Sequence, residues 1–198
     1  MLVIGNGESR LGLDIDGYQR TKVGCNAIYR DHHVHHLICC DKRMVLEAQE
    51  NDYKGTLYTR SNWVDEFKGV ETVPHLPYKG DTRPDDPWHW GSGPYAVLLA
   101  SRLCYEFKQP VHLIGFDVDL GETVNNIYAG TKNYAEQGSR AIDPSYWIYQ
   151  MNKVFEYSPD VQFIYYNNKP WPKIINNCLL YTSPSPRDSD SSRMPSSA

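Results

Sequence analysis

Several short stretches of this chain combine glycine, amide and acidic side chains at spacings suited to handling an anion. Near the start, Gly5-Asn6-Gly7 runs into Glu8-Ser9. Such a turn lets backbone N–H groups approach a phosphate, with Asn6 as a neutral donor and acceptor for a ribose or a base. A turn that serves packing alone fits the same residues. The second stretch is Trp88-His89-Trp90-Gly91-Ser92-Gly93. With Ser92 as N-cap of a helix that begins at Gly93, free N–H groups would lie at a positive dipole end, where an anion is stabilised. The tryptophans would add a stacking face and His89 a titratable group. The plainer alternative has the tryptophans plugging the core and His89 a bystander.

Two further patterns raise metal chemistry. Asp117-Val118-Asp119 has the DxD form that can hold a divalent ion against a diphosphate, which makes Mg2+ an optional rather than a required cofactor. The run His32-His33-Val34-His35-His36 supplies imidazoles, but no cysteine or histidine pair nearby completes a tetrahedral set. No metal site is expected there. Asn125, Asn126, Tyr128 and Tyr134 fall in a long polar stretch that could close over a ligand and donate to a phosphate, or could equally be a solvated loop.

These residues need elements to place them. Short apolar runs at Leu2–Ile4, Lys22–Cys25, His36–Cys40, Thr56–Thr59, Val111–Gly115 and Val161–Tyr165 read as strands buried on both faces, which predicts a parallel sheet with crossover helices. The clearest helix is Gly93–Lys108, where Ala96, Leu99, Ala100, Leu103, Cys104 and Phe107 form one apolar stripe. Lys42–Glu50 and Pro144–Tyr157 are further helices. The stretches 63–90 and 120–141 are irregular. The expected fold is a single Rossmann-like, doubly wound α/β domain with a mostly parallel sheet, whose ligand site lies beyond the carboxyl ends of the strands. The dinucleotide fingerprint itself fails, because Arg10 stands where GxGxxG needs its third glycine.

Bulk properties narrow the partners. The chain has 198 residues and a formal net charge of −4. That balance gives no reason to expect nucleic acid or an anionic membrane as partner. No apolar stretch approaches the ~20 residues of a membrane span, and five cysteines, an odd number in apolar surroundings, read as reduced thiols in a cytoplasmic protein. A small molecule is the expected partner. From Leu179 the chain reads LLYTSPSPRDSDSSRMPSSA, too rich in Ser and Pro to bury a core. This segment resembles translated cloning-adapter read-through, with a native flexible tail as the alternative. The expected division is therefore a nucleotide-binding domain at residues 1–177 and a disordered, non-native tail at 178–198.

The blocks "VIGNGES" at Val3, "GCNAIYRD" at Gly24, "GSGPYAVLLAS" at Gly91 and "VHLIGFDVD" at Val111 resemble, in that order, those of the family 42 bacterial sialyltransferases. More loosely they resemble glycosyltransferase-like proteins related to 6-hydroxymethylpterin diphosphokinase. The resemblance implies a CMP-sugar-type donor held against Gly5, Asn6 and Gly7, with Asn26 touching the donor. It also implies that Ser92 and Gly93 take the nucleotide end at the helix terminus, where Gly91 is a further binding candidate, and that Tyr128 binds phosphate from a lid. The chain departs from the family at two points. An arginine before the Ser-Gly pair falls at His89, and no histidine follows His112 to act as the base. His89, Asp117 and Asp119 are left as catalytic candidates. Three functions follow: a nucleotide-sugar-dependent glycosyltransferase, a Mg2+-dependent pterin or nucleotide diphosphokinase, and a non-catalytic nucleotide-binding or virion-associated module.

Overall fold

A computed structural model describes residues 1–80, 85–106, 109–118, 121–173 and 175–182. Eight strands form one sheet: β1 (Leu2–Ile4), β2 (Lys22–Cys25), β3 (His36–Ile38), β4 (Thr56–Thr59), β5 (Glu71–Thr72), β6 (Val111–Ile114), β7 (Phe163–Tyr166) and β8 (Cys178–Tyr181). Their order is β5-β4-β3-β2-β1-β6-β7-β8, and every neighbouring pair is parallel. The chain lays strands outward from β1 to one edge, returns to the centre, and lays β6 to β8 outward to the other edge. The order thus reverses between β1 and β6, where Val3 pairs with Leu113 and Ile4 with Ile114.

Parallel strands need both faces covered, and strand alternation supplies two apolar faces. Val3, Val23, Ile38, Leu113 and Phe163 face a core shared with α2 (Ser92–Tyr105) and α3 (Ser145–Glu156). Leu2, Ile4, Leu37, Leu57 and Ile114 face a second core with α1 (Lys42–Glu50) and Ile28. Helices on both faces make the fold doubly wound, as the apolar runs predict. α2 crosses β1, β2, β3 and β6 and packs on α3. It is therefore buried nearly all round from Pro94 to Ser101, rather than along one stripe. No helix among the described residues is long and apolar enough to cross a membrane.

Several boundaries differ from the sequence reading. α2 begins at Ser92 with Gly91 as its N-cap and no side-chain cap, and Phe107 and Lys108 lie outside the described residues. β6 stops at Ile114 because Gly115 turns the chain with φ +69°, a left-handed conformation suited to glycine. The sequence reading missed the two-residue β5. It also missed β8, which corrects the expected disordered tail: Cys178–Tyr181 pairs in parallel with β7, with Phe163 opposite Cys178. The Ser/Pro-rich composition of residues 179–198 hides the apolar Leu179-Leu180-Tyr181 at its start. Residues 183–198 lie outside the described residues.

Candidate functional site

A cavity of about 360 Å³ opens at the carboxyl ends of β1 and β6, where the strand order reverses. Such a reversal leaves a crevice, because the chains leaving the two central strands depart in opposite directions. The loops here touch backbone to backbone. The Gly5 N–H donates to the Ile114 carbonyl and the Gly7 N–H to the Gly115 carbonyl, each at 2.8 Å. A Cβ built on Gly5 would stand 2.2 Å from the Gly115 oxygen, and one on Gly7 would stand 2.4 Å from Asp117 Oδ2. The glycines are there because another part of the chain occupies the space a side chain would need.

Gly5, Asn6, Gly7, Asn26, Ser92, Gly93 and Asp117 all line this cavity. The use of the first turn differs from expectation. Beyond the Gly5 and Gly7 amides, the Glu8 N–H donates to Asn125 Oδ1 and the Ser9 N–H to Asp117 Oδ2, both at 2.8 Å. The amides of Gly5, Gly7, Glu8 and Ser9 are thus bonded within the protein, and of this turn the Asn6 N–H alone has no partner among the described residues. The other Asp117 carboxylate oxygen accepts from Asn167 Nδ2 at 2.9 Å, which ties the ends of β6 and β7 together. Asn6 donates from Nδ2 to the Tyr134 hydroxyl at 3.0 Å, while its Oδ1 is buried without a partner among the described residues.

The helix start behaves in the opposite way. Ser92 Oγ donates to Asn26 Oδ1 and accepts from the Cys40 N–H, each at 2.9 Å, so the side chain braces β3 and the turn after β2 instead of capping its own helix. Asn26 holds φ +53° to meet it, a conformation asparagine tolerates. Among the described residues, the N–H groups of Ser92 and Gly93 have no hydrogen-bond partner, and both residues face the cavity. Gly91 is not in the lining; its N–H donates to Gln150 Oε1 at 3.1 Å.

Two other candidates fall elsewhere. His89 is outside the lining, and its Nδ1 lies 3.3 Å from Asp86 on the surface. Tyr128 is buried away from the cavity, where it donates to Asp31 at 2.7 Å and accepts from Arg10 Nη2 at 3.0 Å. Burial, then the bond to Asp31, pushes its hydroxyl pKa up. It anchors the loop between β6 and α3 and does not reach toward a phosphate. Its neighbour Tyr134 does line the cavity, with its hydroxyl accepting from the Ala27 N–H at 3.2 Å. Asp119 lies outside the described residues.

The lining is amide-rich and aromatic. Phe116, Tyr134 and Trp147 supply rings, and Asn6, Asn26, Asn125 and Asn133 supply amides. Asp117 is the one charged side chain among the described lining residues, and Cys25 stays a thiol because burial pushes its pKa up to about 12. The sequence reading missed Phe116, Asn133 and Trp147. Trp147 shows only as a large apolar residue in the first turn of α3, and its 39% exposure at the cavity edge is the signal a sequence lacks.

Of the two DxD carboxylates, Asp117 lines the cavity and Asp119 lies outside the described residues. Mg2+ takes several oxygen ligands in octahedral array; among the described residues no three His, Cys, Asp or Glu converge, and Asp117 accepts one bond at each oxygen, from Ser9 and Asn167. Within the histidine run, His32 pairs with Asp16, His35 accepts from the Lys22 N–H with its ring 5.1 Å from that of His33, and His36 contacts the Tyr58 hydroxyl. The chain matches no family model, no curated protein and no solved structure.

Proposed function

We propose that this chain binds a nucleotide sugar of the CMP-sugar type in the cavity between β1 and β6 and acts as a glycosyltransferase-like protein. One observation carries the reading. Ser92 and Gly93 begin a 14-residue helix, line the cavity at the strand-order reversal, and have N–H groups without a partner among the described residues. Partial positive charge from these amides and the helix dipole favours a phosphate there without any Lys or Arg. The rings of Phe116, Tyr134 and Trp147 and the surrounding asparagine amides suit a base and a ribose.

Asp117 is then the base. Each of its oxygens accepts one hydrogen bond, so each retains a lone pair for a proton. In an inverting transfer, the acceptor hydroxyl oxygen forms the new bond to the sugar carbon as its proton passes to Asp117. The bond from that carbon to the phosphate oxygen breaks, and the nucleotide leaves with the added charge held at the α2 terminus.

A thermal-shift series with CMP, CDP, UDP, GDP and ATP tests the binding step. At a hundred times its Kd, CMP should stabilise the fold by about 2.7 kcal/mol, with the other nucleotides giving less. No shift with CMP at millimolar concentration overturns the reading. Binding of CMP with no sugar transfer to any hydroxyl acceptor, including water, would leave a nucleotide-binding module.

A further inference from the structure

The loop 121–142 forms the outer wall of the cavity through Thr123 to Asn126 and Asn133 to Ala135, yet it has almost no regular structure of its own. An isolated antiparallel bridge joins Thr123 to Arg140, and the rest is turns, two of them through Gly130 at φ +77° and Asn133 at φ +68°. A loop of this kind takes its position from the groups that hold it. Its base is held beside the cavity, where the Ile127 N–H donates to the Asn6 carbonyl at 2.9 Å. Its tip is held from the other face of the sheet.

There Glu47, on α1, is 4% exposed. Its Oε1 accepts from Tyr29 and from Arg30 Nε, each at 2.7 Å, and its Oε2 accepts from Asn133 Nδ2 at 2.7 Å. Arg30 in turn donates to Thr131 Oγ1 at 2.8 Å and to the Lys132 carbonyl at 3.0 Å. Burial alone would raise the Glu47 pKa, but the bonds from Tyr29, Arg30 and Asn133 and the Arg30 charge reverse this and hold it below the ordinary carboxylate value. Met44, Val45 and Ala48 on the same helix carry the packing against the sheet. A buried carboxylate among them is a cost that the fold does not need for that packing.

We infer that Glu47 is a positioning residue for the cavity: it grips the loop tip directly through Asn133 and indirectly through Arg30, and so sets where the outer wall stands. The inference does not require that CMP be the ligand. Its failure and the failure of the nucleotide reading are therefore separate results.

The test is amide hydrogen exchange on the full chain without ligand. Asn133→Asp keeps the shape and the tolerance for positive φ but sets a carboxylate against Glu47. Exchange at Gly130, Thr131 and Tyr134 should then speed up by about tenfold, the scale of one lost hydrogen bond to a charged group. Exchange at Val3, Val23 and Leu113 in the sheet should hold within about twofold. Adding Glu47→Gln to Asn133→Asp lets the new amide donate to the new carboxylate, and the tip protection should return. Three results overturn the inference: a tip that exchanges at its original rate in Asn133→Asp, a rise spread evenly over tip and sheet, and a double variant no better protected than the single one.

Discussion

At the carboxyl edge of the sheet, the turn after β1 and the turn into α2 each carry a glycine on either side of a polar residue, and they do opposite work. Around Gly5-Asn6-Gly7 the glycines admit neighbouring backbone, and the amides of Gly5, Gly7, Glu8 and Ser9 are all bonded within the protein. Around Gly91-Ser92-Gly93 the serine side chain is spent on Asn26 and Cys40, and the amides of Ser92 and Gly93 stay open to the cavity. Glycine next to a polar residue marks a place where backbone comes close to something. Whether that something is the protein itself or a ligand depends on what the fold brings opposite. Here the loop after β6 packs its backbone against the first turn, while side chains of Asn26, Phe116, Trp147 and Gln150 stand around the second.

The contrast can be broken by adding one methyl group on each side. Gly5→Ala should cost about 3 kcal/mol or abolish folding, since the new carbon meets a backbone oxygen at 2.2 Å that cannot move without parting β1 from β6. Denaturant unfolding reads this directly, and a loss well under 1 kcal/mol would mean the two loops are not in contact. Asp117→Asn probes the same closed side. Ser9 N–H and Asn167 Nδ2 both need an acceptor, and Asn167 cannot turn its amide round because its Oδ1 already accepts from Lys169 N–H. One part-buried donor is left unpaired, for about 1 kcal/mol by the same unfolding measurement.

Acid weakens the same pair of strands, β1 and β6, from the amino end of the sheet. His112 on β6 sits beside Leu2 of β1, with its Nδ1 2.9 Å from the Tyr166 hydroxyl. Burial, then the nearby N-terminal amine and Arg20, lowers its pKa from 6.5 to about 4. The folded state thus prefers neutral His112, and between those values the unfolded chain binds more protons. The stability from this group is full above pH 6.5 and is lost as the pH falls through 4, with a slope of up to about 1.4 kcal/mol per pH unit. Unfolding midpoints measured between pH 7 and 4 should fall in the wild type and fall less in His112→Gln. Equal slopes would show that His112 titrates normally.

The open side should respond least in stability and most in binding. A Cβ on Gly93 meets only Phe116 Cε1, at 3.3 Å, and the ring can give by a few tenths of an ångström. Replacing a helical glycine also recovers some backbone entropy. Gly93→Ala should therefore stay within about 1 kcal/mol of wild type and weaken CMP by about tenfold, the worth of one bond from an amide to a charged phosphate. Unchanged CMP affinity would remove the α2 terminus from the site.

Much of the frame was legible in the order of residues. Leu2–Ile4, Lys22–Cys25 and Thr56–Thr59 are strands, and Lys42–Glu50 is a helix, with the bounds their apolar patterns predict. A strand buried on both faces, such as Leu2–Ile4, reads as an unbroken apolar run, and that signature is local. Cys178–Tyr181 escaped because its neighbours downstream are Ser and Pro, and Glu71–Thr72 because two exposed residues carry no pattern. Within the site, the polar residues of the carboxyl edge were legible as a group, since each directly follows a strand or opens a helix.

Their roles were not legible, because a hydrogen bond between distant residues leaves no mark in either one's surroundings along the chain. Asp117 lies 108 residues from the Ser9 amide it accepts from, and Tyr128 lies 97 from the Asp31 carboxylate it binds. Local sequence determined which segments become strands and helices, through side-chain periodicity and backbone preference. Only the tertiary structure decided which donors the protein keeps for itself and which it leaves open. A donor is free or spent according to what stands within about 3 Å of it, and that neighbour is chosen by the packing of the whole sheet.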